Sequence, residues 1–241
     1  MHPSHKSLLL SLANAYETLA VSAPTVLDAA RGRLSRDVCD ARLASWAERV
    51  MRHTRMQVEV RGRENLEDGR TYVVMSNHQS HMDVPVLYWV LGPHMRMVAK
   101  KELFELPVFG RAIREAGFVC VDRQNRERAI ASLADAKRHL ASGTHIWIAP
   151  EGTRSLTGAL LPFKKGGFVL ALETGAPILP ITISGTREVQ RARGVRSRRG
   201  VSVRVVIHPA IATARFASMD RKEGRDALMA EVRGAIEGAL G

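Results

Sequence analysis

The chain of 241 residues is poor in sulfur: it holds two cysteines, Cys39 and Cys120, in unrelated surroundings. Two thiols without a shared motif supply neither a disulfide framework nor paired metal-ligand spacing, so a reducing compartment is the expectation. Aromatic residues are scarce as well, at 5%, which argues against the stacking platforms of single-strand nucleic-acid binders. No apolar run reaches the roughly 18 residues that a membrane-spanning helix needs. Near the N-terminus, "SLLLSLANA" follows Lys6 and imitates a secretory leader. Its apolar centre falls short of the usual about 7–15 residues, and it reads as retained. Acids are the last shortage: 24 Asp+Glu against 36 Lys+Arg leave a net charge of +12. Such an excess implies an anionic partner: nucleic acid, an acidic soluble protein or an anionic membrane surface.

What is present suffices for a core, since 45% of the residues are hydrophobic. The length fits one domain with an extension. Residues 1–55 read as a helical pair broken at Pro24, possible ground for membrane association. In the second helix, Leu27, Ala30, Leu34, Val38 and Ala41 form an apolar stripe, with Arg33, Arg36 and Asp40 opposite. A second stripe follows, Leu43, Trp46, Ala47 and Val50, with Arg42, Arg49 and Arg52 turned away from it. Two readings stand side by side: a helix packed on the domain behind it, or an interfacial pair resting on lipid.

From residue 56 to 241 the pattern changes to short β-type runs alternating with helices. The runs are "MQVEV", "TYVVMS", "MRMVA", "FVCV", "HIWIA", "PILPITI" and "VSVRVVI". Helices are expected from about Asp83, around "PVFGRAIREA", from about Asn125 to Ala141, around "GGFVLALETG", and from Met219 to Ala239. Such alternation indicates an α/β fold, a mostly parallel central sheet flanked by helices. Arg187 to Arg204 holds seven arginines and one acid, Glu188, and reads as a strongly basic surface loop.

The stretch "SNHQSHMD", Ser76 to Asp83, follows an apolar strand and concentrates two histidines and an aspartate. On a continuous helix the five-residue step from His78 to Asp83 would leave them roughly 140° apart. They meet only if the segment is a turn leading into a helix, which Pro85 favours as a first-turn residue. Three chemistries compete. A binuclear metallohydrolase pattern would need further histidines at Gln79 and Val84, which are absent. Asp83 can simply cap the helix. Or Asp83 can hold the His78 imidazole as a general base.

Other strand ends carry groups suited to an anionic substrate. Lys100 and Lys101 follow "MRMVA", Arg123 follows "GFVCVD", and Glu151, Gly152 and Arg154 follow "HIWIA". In a parallel sheet these reach the same edge as His78. Lysine offers phosphate a point charge and arginine a planar donor fork. "KKGG", Lys164 to Gly167, lacks phosphate-loop spacing and carries no weight.

With these pieces in order, the chain resembles the glycerolipid acyltransferases of the lysophosphatidic acid acyltransferase type, over about Gly62 to Pro209. "NHQSHMD" matches the N-H-x4-D signature through Asn77, His78 and Asp83. "GFVCVDR" matches a second block through Gly117, Asp122 and Arg123; "PEGTRS", Pro150 to Ser155, a third; "ILPI", Ile178 to Ile181, a fourth. The chain departs at Ala149, where members often carry Phe, and at Cys120, where they often carry a bulkier residue; both put the substrate's identity in question.

The resemblance implies acyl transfer from a thioester to the free hydroxyl of a lysophospholipid. His78 is then the base and Asp83 its orienting partner. Lys100, Arg123 and Arg154 bind the acceptor phosphate, and Glu151, Gly152 and Thr153 contact the acceptor. It implies no metal and no cofactor beyond the co-substrate, an acyl-CoA or acyl carrier protein thioester. The expected partners are the lysophospholipid, the thioester donor and a membrane surface, without nucleic acid. The expected place is the cytoplasmic face of the inner or plasma membrane, peripheral or monotopic. A nucleic-acid binder would leave "NHQSHMD" and "PEGTRS" unexplained.

Overall fold

The computed structural model describes residues 6–121 and 126–240. Among them, seven strands form one sheet: β1 (Gln57–Arg61), β2 (Val73–Ser76), β3 (Met95–Lys100), β4 (Val119–Val121), β5 (His145–Ile148), β6 (Ile178–Ser184) and β7 (Ser202–Ile207). Their spatial order is β1-β7-β6-β2-β5-β3-β4. Every neighbouring pair is parallel except β6 with β7. The helices are α1 (Leu8–Ala30), α2 (Arg36–Thr54), α3 (Asp83–Leu91), α4 (Lys101–Phe104), α5 (Phe109–Glu115), α6 (Arg126–Ala141), α7 (Gly166–Thr174), α8 (Thr186–Val189), α9 (Ala214–Ala217) and α10 (Arg221–Glu237).

Parallel neighbours need crossovers, and those helices cover both faces of the sheet. The central strands are accordingly apolar without alternation: all of β2 is buried, and β6 is buried from Ile178 to Ile183. Alternation reappears as a choice of layer. Tyr72 and Val74 join the core beneath α2 and α3, whereas Val73 and Met75 join the one beneath α7 and α10. At the edge, β1 is half exposed along its length.

The N-terminal pair departs from the sequence reading. α1 continues through Pro24, and the break comes at residues 31–35. The proline removes one donor, but Ser22 and Thr25 hydroxyls bond the carbonyls of Thr18 and Val21, both at 2.7 Å, and the helix carries on. It stops where Gly32 adopts φ +65° and Ser35 caps the next helix by accepting the Val38 N–H at 3.2 Å. The stripe from Leu27 to Ala41 therefore does not exist as one face. Leu27 and Ala30 end α1 on its exposed side, and Asp40 is buried, paired with Arg96 at 2.7 Å and His94 at 2.7 Å. The second stripe does pack, with Ala47 and Val50 buried against the α3 layer and Leu43 and Trp46 beside them. Arg42 and Arg49 turn away from that stripe, but toward α1, where they pair with Asp28 and with Glu17.

Candidate active site

Strands β2, β5 and β3 are adjacent and parallel, so their C-terminal ends open on one edge of the sheet. The chain leaves β2 through Asn77, whose side chain exchanges two hydrogen bonds with the Ile183 backbone, both at 2.8 Å. This clamp pins the loop to β6 before His78 emerges. The loop then turns into α3 at Asp83, and Pro85 sits in the first helical turn.

His78 and Asp83 meet across that turn. The His78 Nδ1 lies 2.7 Å from Asp83 Oδ2. The carboxylate is fully buried and also accepts the N–H groups of Gln79 at 2.8 Å and Ser80 at 3.0 Å. Its other oxygen accepts the Thr186 hydroxyl at 2.5 Å. A carboxylate surrounded by donors is an acceptor, so Nδ1–H donates to it and Nε2 is left as the basic nitrogen. The simple capping role for Asp83 is thereby superseded: its oxygens reach back to the loop. Trp147, from β5, sets its ring edge-on to the imidazole at 5.6 Å and 87°, and its indole N–H donates to Ser76 Oγ at 3.0 Å.

The loop after β5 braces this pair from the other side. Glu151 is 2% exposed, and its two oxygens accept the N–H groups of His78 at 2.7 Å and Leu161 at 2.8 Å. Burial pushes its pKa up, and those two hydrogen bonds oppose the rise. The Ser155 N–H donates to the His78 carbonyl at 2.8 Å. Gly152 turns the loop at φ +71°, a conformation that favours glycine.

Above the dyad lies a cavity of about 370 Å³, into which His78, Trp147, Lys100, Thr153 and Arg154 project. Its deeper walls are apolar, including Val98, Leu133 and Leu170. A Cβ added to Gly167 would stand 3.0 Å from Met75 Cε and 3.1 Å from Ile148 Cδ1, so glycine keeps the floor open. Burial lowers the Arg154 pKa, with the Asp83 carboxylate opposing, and a guanidinium stays charged through such a shift. A shallow recess continues from Arg154 to Arg193 of the basic loop. Arg123 and Asp122 lie outside the described residues.

Two further residues serve the site without any announcement in the sequence, one at the cavity and one at Asp83. Lys164 of "KKGG" lines the cavity with Lys100 and Arg154; no local spacing announces that, because the contact depends on the turn after β5. Thr186 reaches Asp83 from more than a hundred positions away. His81 has an exposed edge at the cavity mouth. Its neighbours still strip water from the ring, and Arg154 repels a proton, so its pKa falls to about 4. It makes no part of the dyad.

A second cavity, of about 350 Å³, runs beneath α1 and α2 and shares His81, Val84 and Leu103 with the first. Tyr88, Met97, Phe109 and Ile113 give it a largely apolar lining. The dyad thus stands beside a cationic mouth and two adjoining apolar spaces, which suits proton abstraction from a substrate with an anionic head and an apolar tail.

Comparison with known proteins gives the same direction. Residues 57–184 match the family model described as Acyltransferase. The chain is 38% identical to the sheep 1-acyl-sn-glycerol-3-phosphate acyltransferase alpha over 134 residues, 55% of this chain and 47% of that protein. It is 36% identical to the Saccharomyces cerevisiae 1-acyl-sn-glycerol-3-phosphate acyltransferase over 155 residues, 63% of this chain and 51% of that one. The chain spans about half the length of these curated relatives. The crystal structure of the 1-acyl-sn-glycerophosphate (LPA) acyltransferase PlsC from Thermotoga maritima superposes with a TM-score of 0.78 at 28% identity, covering 97% of this chain and 94% of that one.

Proposed function

The chain belongs to the acyltransferase family, and from that membership we propose that it moves a fatty acyl group from an acyl thioester to the free hydroxyl of a lysophospholipid, making phosphatidic acid from lysophosphatidic acid. The observation that carries this reading is the His78–Asp83 pair at the mouth of an apolar cavity rimmed by Lys100, Arg154 and Lys164. His78 Nε2 takes the acceptor's hydroxyl proton as the oxygen attacks the thioester carbonyl. Asp83 stabilises the resulting imidazolium. The tetrahedral intermediate collapses, the C–S bond breaks, and the proton passes from His78 to the leaving thiolate. The acceptor is itself the nucleophile, so no acyl-enzyme forms. Base catalysis of this kind contributes about 10²–10⁴-fold.

Lys100, Arg123 and Arg154 bind the acceptor phosphate in this reading, and Lys164 joins them. Glu151, Gly152 and Thr153 shape the acceptor side, Glu151 by fixing the His78 backbone from its buried position. The thioester is an acyl-CoA or an acyl carrier protein, and the basic surface suits either.

The product and acceptor are lipids, so the site faces a bilayer. No helix among the described residues is long and apolar enough to cross a membrane. α1 instead turns Leu8, Leu9, Leu12, Tyr16, Leu19 and Leu27 outward, all exposed. Its start is tied to the basic loop by the Ser7–Ser197 backbone pair, which places Arg191, Arg193 and Arg196 on the same side. We infer peripheral attachment at the cytoplasmic face, apolar residues in the interface and arginines at anionic headgroups. The test is a panel of lyso-lipid acceptors with one labelled acyl thioester, products identified by mass. Conversion of lysophosphatidic acid to phosphatidic acid supports the reading, and preference for a phosphate-free acceptor overturns the roles of Lys100, Arg123 and Arg154.

A further inference from the structure

Apart from Leu10, the residues that α1 buries are polar, and the hydroxyls and the acid of that face have partners. Ser11 Oγ pairs with Ser197 Oγ at 2.8 Å. Thr18 Oγ1 donates to the Asn14 carbonyl at 3.1 Å and accepts the Trp46 indole N–H at 3.2 Å. Ser22 and Thr25 bond backbone carbonyls, and Glu17 pairs with Arg49. The Asn14 side chain differs. It is 6% exposed, lines the cavity beneath α1, and neither its Nδ2 nor its Oδ1 has a partner. A buried carboxamide left unpaired on both atoms is disfavoured there, and leucine would suit the surroundings better.

The position of Asn14 along the cavity narrows what it serves. The α1 wall from Ser11 to Thr25 runs about 21 Å at 1.5 Å per residue. Its Ser11 end is the one nearer the dyad. Ser11 is bonded to Ser197, the next residue's N–H donates to the Val189 carbonyl at 2.8 Å, and the Gln190 carbonyl accepts the Ser80 hydroxyl at 2.6 Å. Asn14 therefore stands about 4.5 Å along the helix axis from Ser11, just under one turn, toward that end of the cavity. A carboxamide offers a donor and an acceptor side by side. A methylene matches neither, a carbonyl only the donor, and a hydroxyl both.

We propose that this cavity receives a fatty acyl chain bearing a hydroxyl near its carbonyl end, and that Asn14 recognises that hydroxyl, Nδ2–H donating to the oxygen while Oδ1 accepts its hydrogen. The assignment rests on the acyl-transfer reading above. The chain can belong to the thioester donor or to the acceptor lipid, and the chemistry is the same. A water molecule could meet the same two atoms, and would confer no chain preference.

The experiment compares kcat/KM for equal-length chains with and without a β-hydroxyl, placed on the donor in one arm and on the acceptor in the other. Wild type is expected to favour the hydroxylated chain about tenfold in one arm, equivalent to about 1.4 kcal/mol. Asn14→Leu, and Asn14→Ala as a second variant, are expected to reduce that ratio to one or below. Equal ratios in wild type and both variants, in both arms, overturn the proposal. Turnover of the plain chain reports separately on acyl transfer itself. Should that fail, calorimetric binding of free β-hydroxy fatty acid against the plain acid decides: tighter binding that Asn14→Leu abolishes supports the site, and no preference overturns it.

Discussion

Helices α1 and α10 are both amphipathic and lie at opposite ends of the chain, yet they are built in opposite senses. α10 turns Leu228, Val232 and Ile236, four residues apart and all fully buried, into the core, and leaves its charges outside. α1 turns Asn14, Glu17, Ser22 and Thr25 inward and leaves Leu9 77%, Leu12 56% and Leu19 51% exposed. The first arrangement stabilises the fold. In the second, Leu10 is buried while the other leucines of the helix stand exposed, available to another apolar phase. No helix among the described residues is long and apolar enough to cross a membrane, and in the proposed reading these exposed leucines supply the contact with lipid.

Matched substitutions break this comparison most sharply. Val232→Asp in α10 buries an unpaired charge and is expected to cost about 4 kcal/mol or more, leaving little folded protein by circular dichroism. Leu9→Asp in α1 is expected to change stability by no more than about 0.5 kcal/mol. It should instead weaken sedimentation with vesicles by about 10- to 100-fold, the worth of burying one leucine at about 1.5–3 kcal/mol. Next in size is the basic loop. Replacing Arg191, Arg193 and Arg196 by alanine should lower binding to anionic vesicles about 10²-fold, at about 1 kcal/mol per residue. Binding to neutral vesicles should not change.

A smaller effect tests the inward face of α1. Glu17 meets Arg49 at 2.5 Å and His53 at 3.5 Å, with Arg49 partly exposed. Glu17→Gln is expected to cost about 1 kcal/mol after solvent screening, read as a lowered chemical-denaturation midpoint.

A separate effect is in pH. His145, the first residue of β5, accepts the Tyr72 N–H at 3.2 Å, and burial lowers its pKa to about 4. The unfolded chain takes up that proton first, at about 6.5. Stability is therefore present above about 6.5 and declines as the pH falls toward about 4. α1 has no histidine, so the vesicle contact of its outer face should not follow this titration. A melting temperature that rises on acidification through that window would contradict the assignment.

The central strands were legible because both-face burial makes them short apolar runs, β1 and β7 because they alternate, and all seven strands fall on the expected segments. The turn joining His78 to Asp83 was legible from Pro85 and from the five-residue step. The path of α1 was not. Periodicity records that a helix has two faces but not which one meets the protein, and Pro24 was read as a break where packing and hydroxyl bonds carry the helix across. The contributions of Trp147, Thr186 and Lys164 were hidden for another reason: each depends on which loops the sheet order brings together. The same holds for Glu151, whose place against the His78 N–H no local pattern announces.

The most direct test of the account is transfer of a labelled acyl group from a thioester to lysophosphatidic acid, comparing wild type with His78→Ala. In that variant Asp83 retains Gln79, Ser80 and Thr186 as partners, so the melting temperature should hold while kcat falls by about 10²–10⁴-fold. A folded His78→Ala protein that transfers the acyl group at the wild-type rate would contradict it.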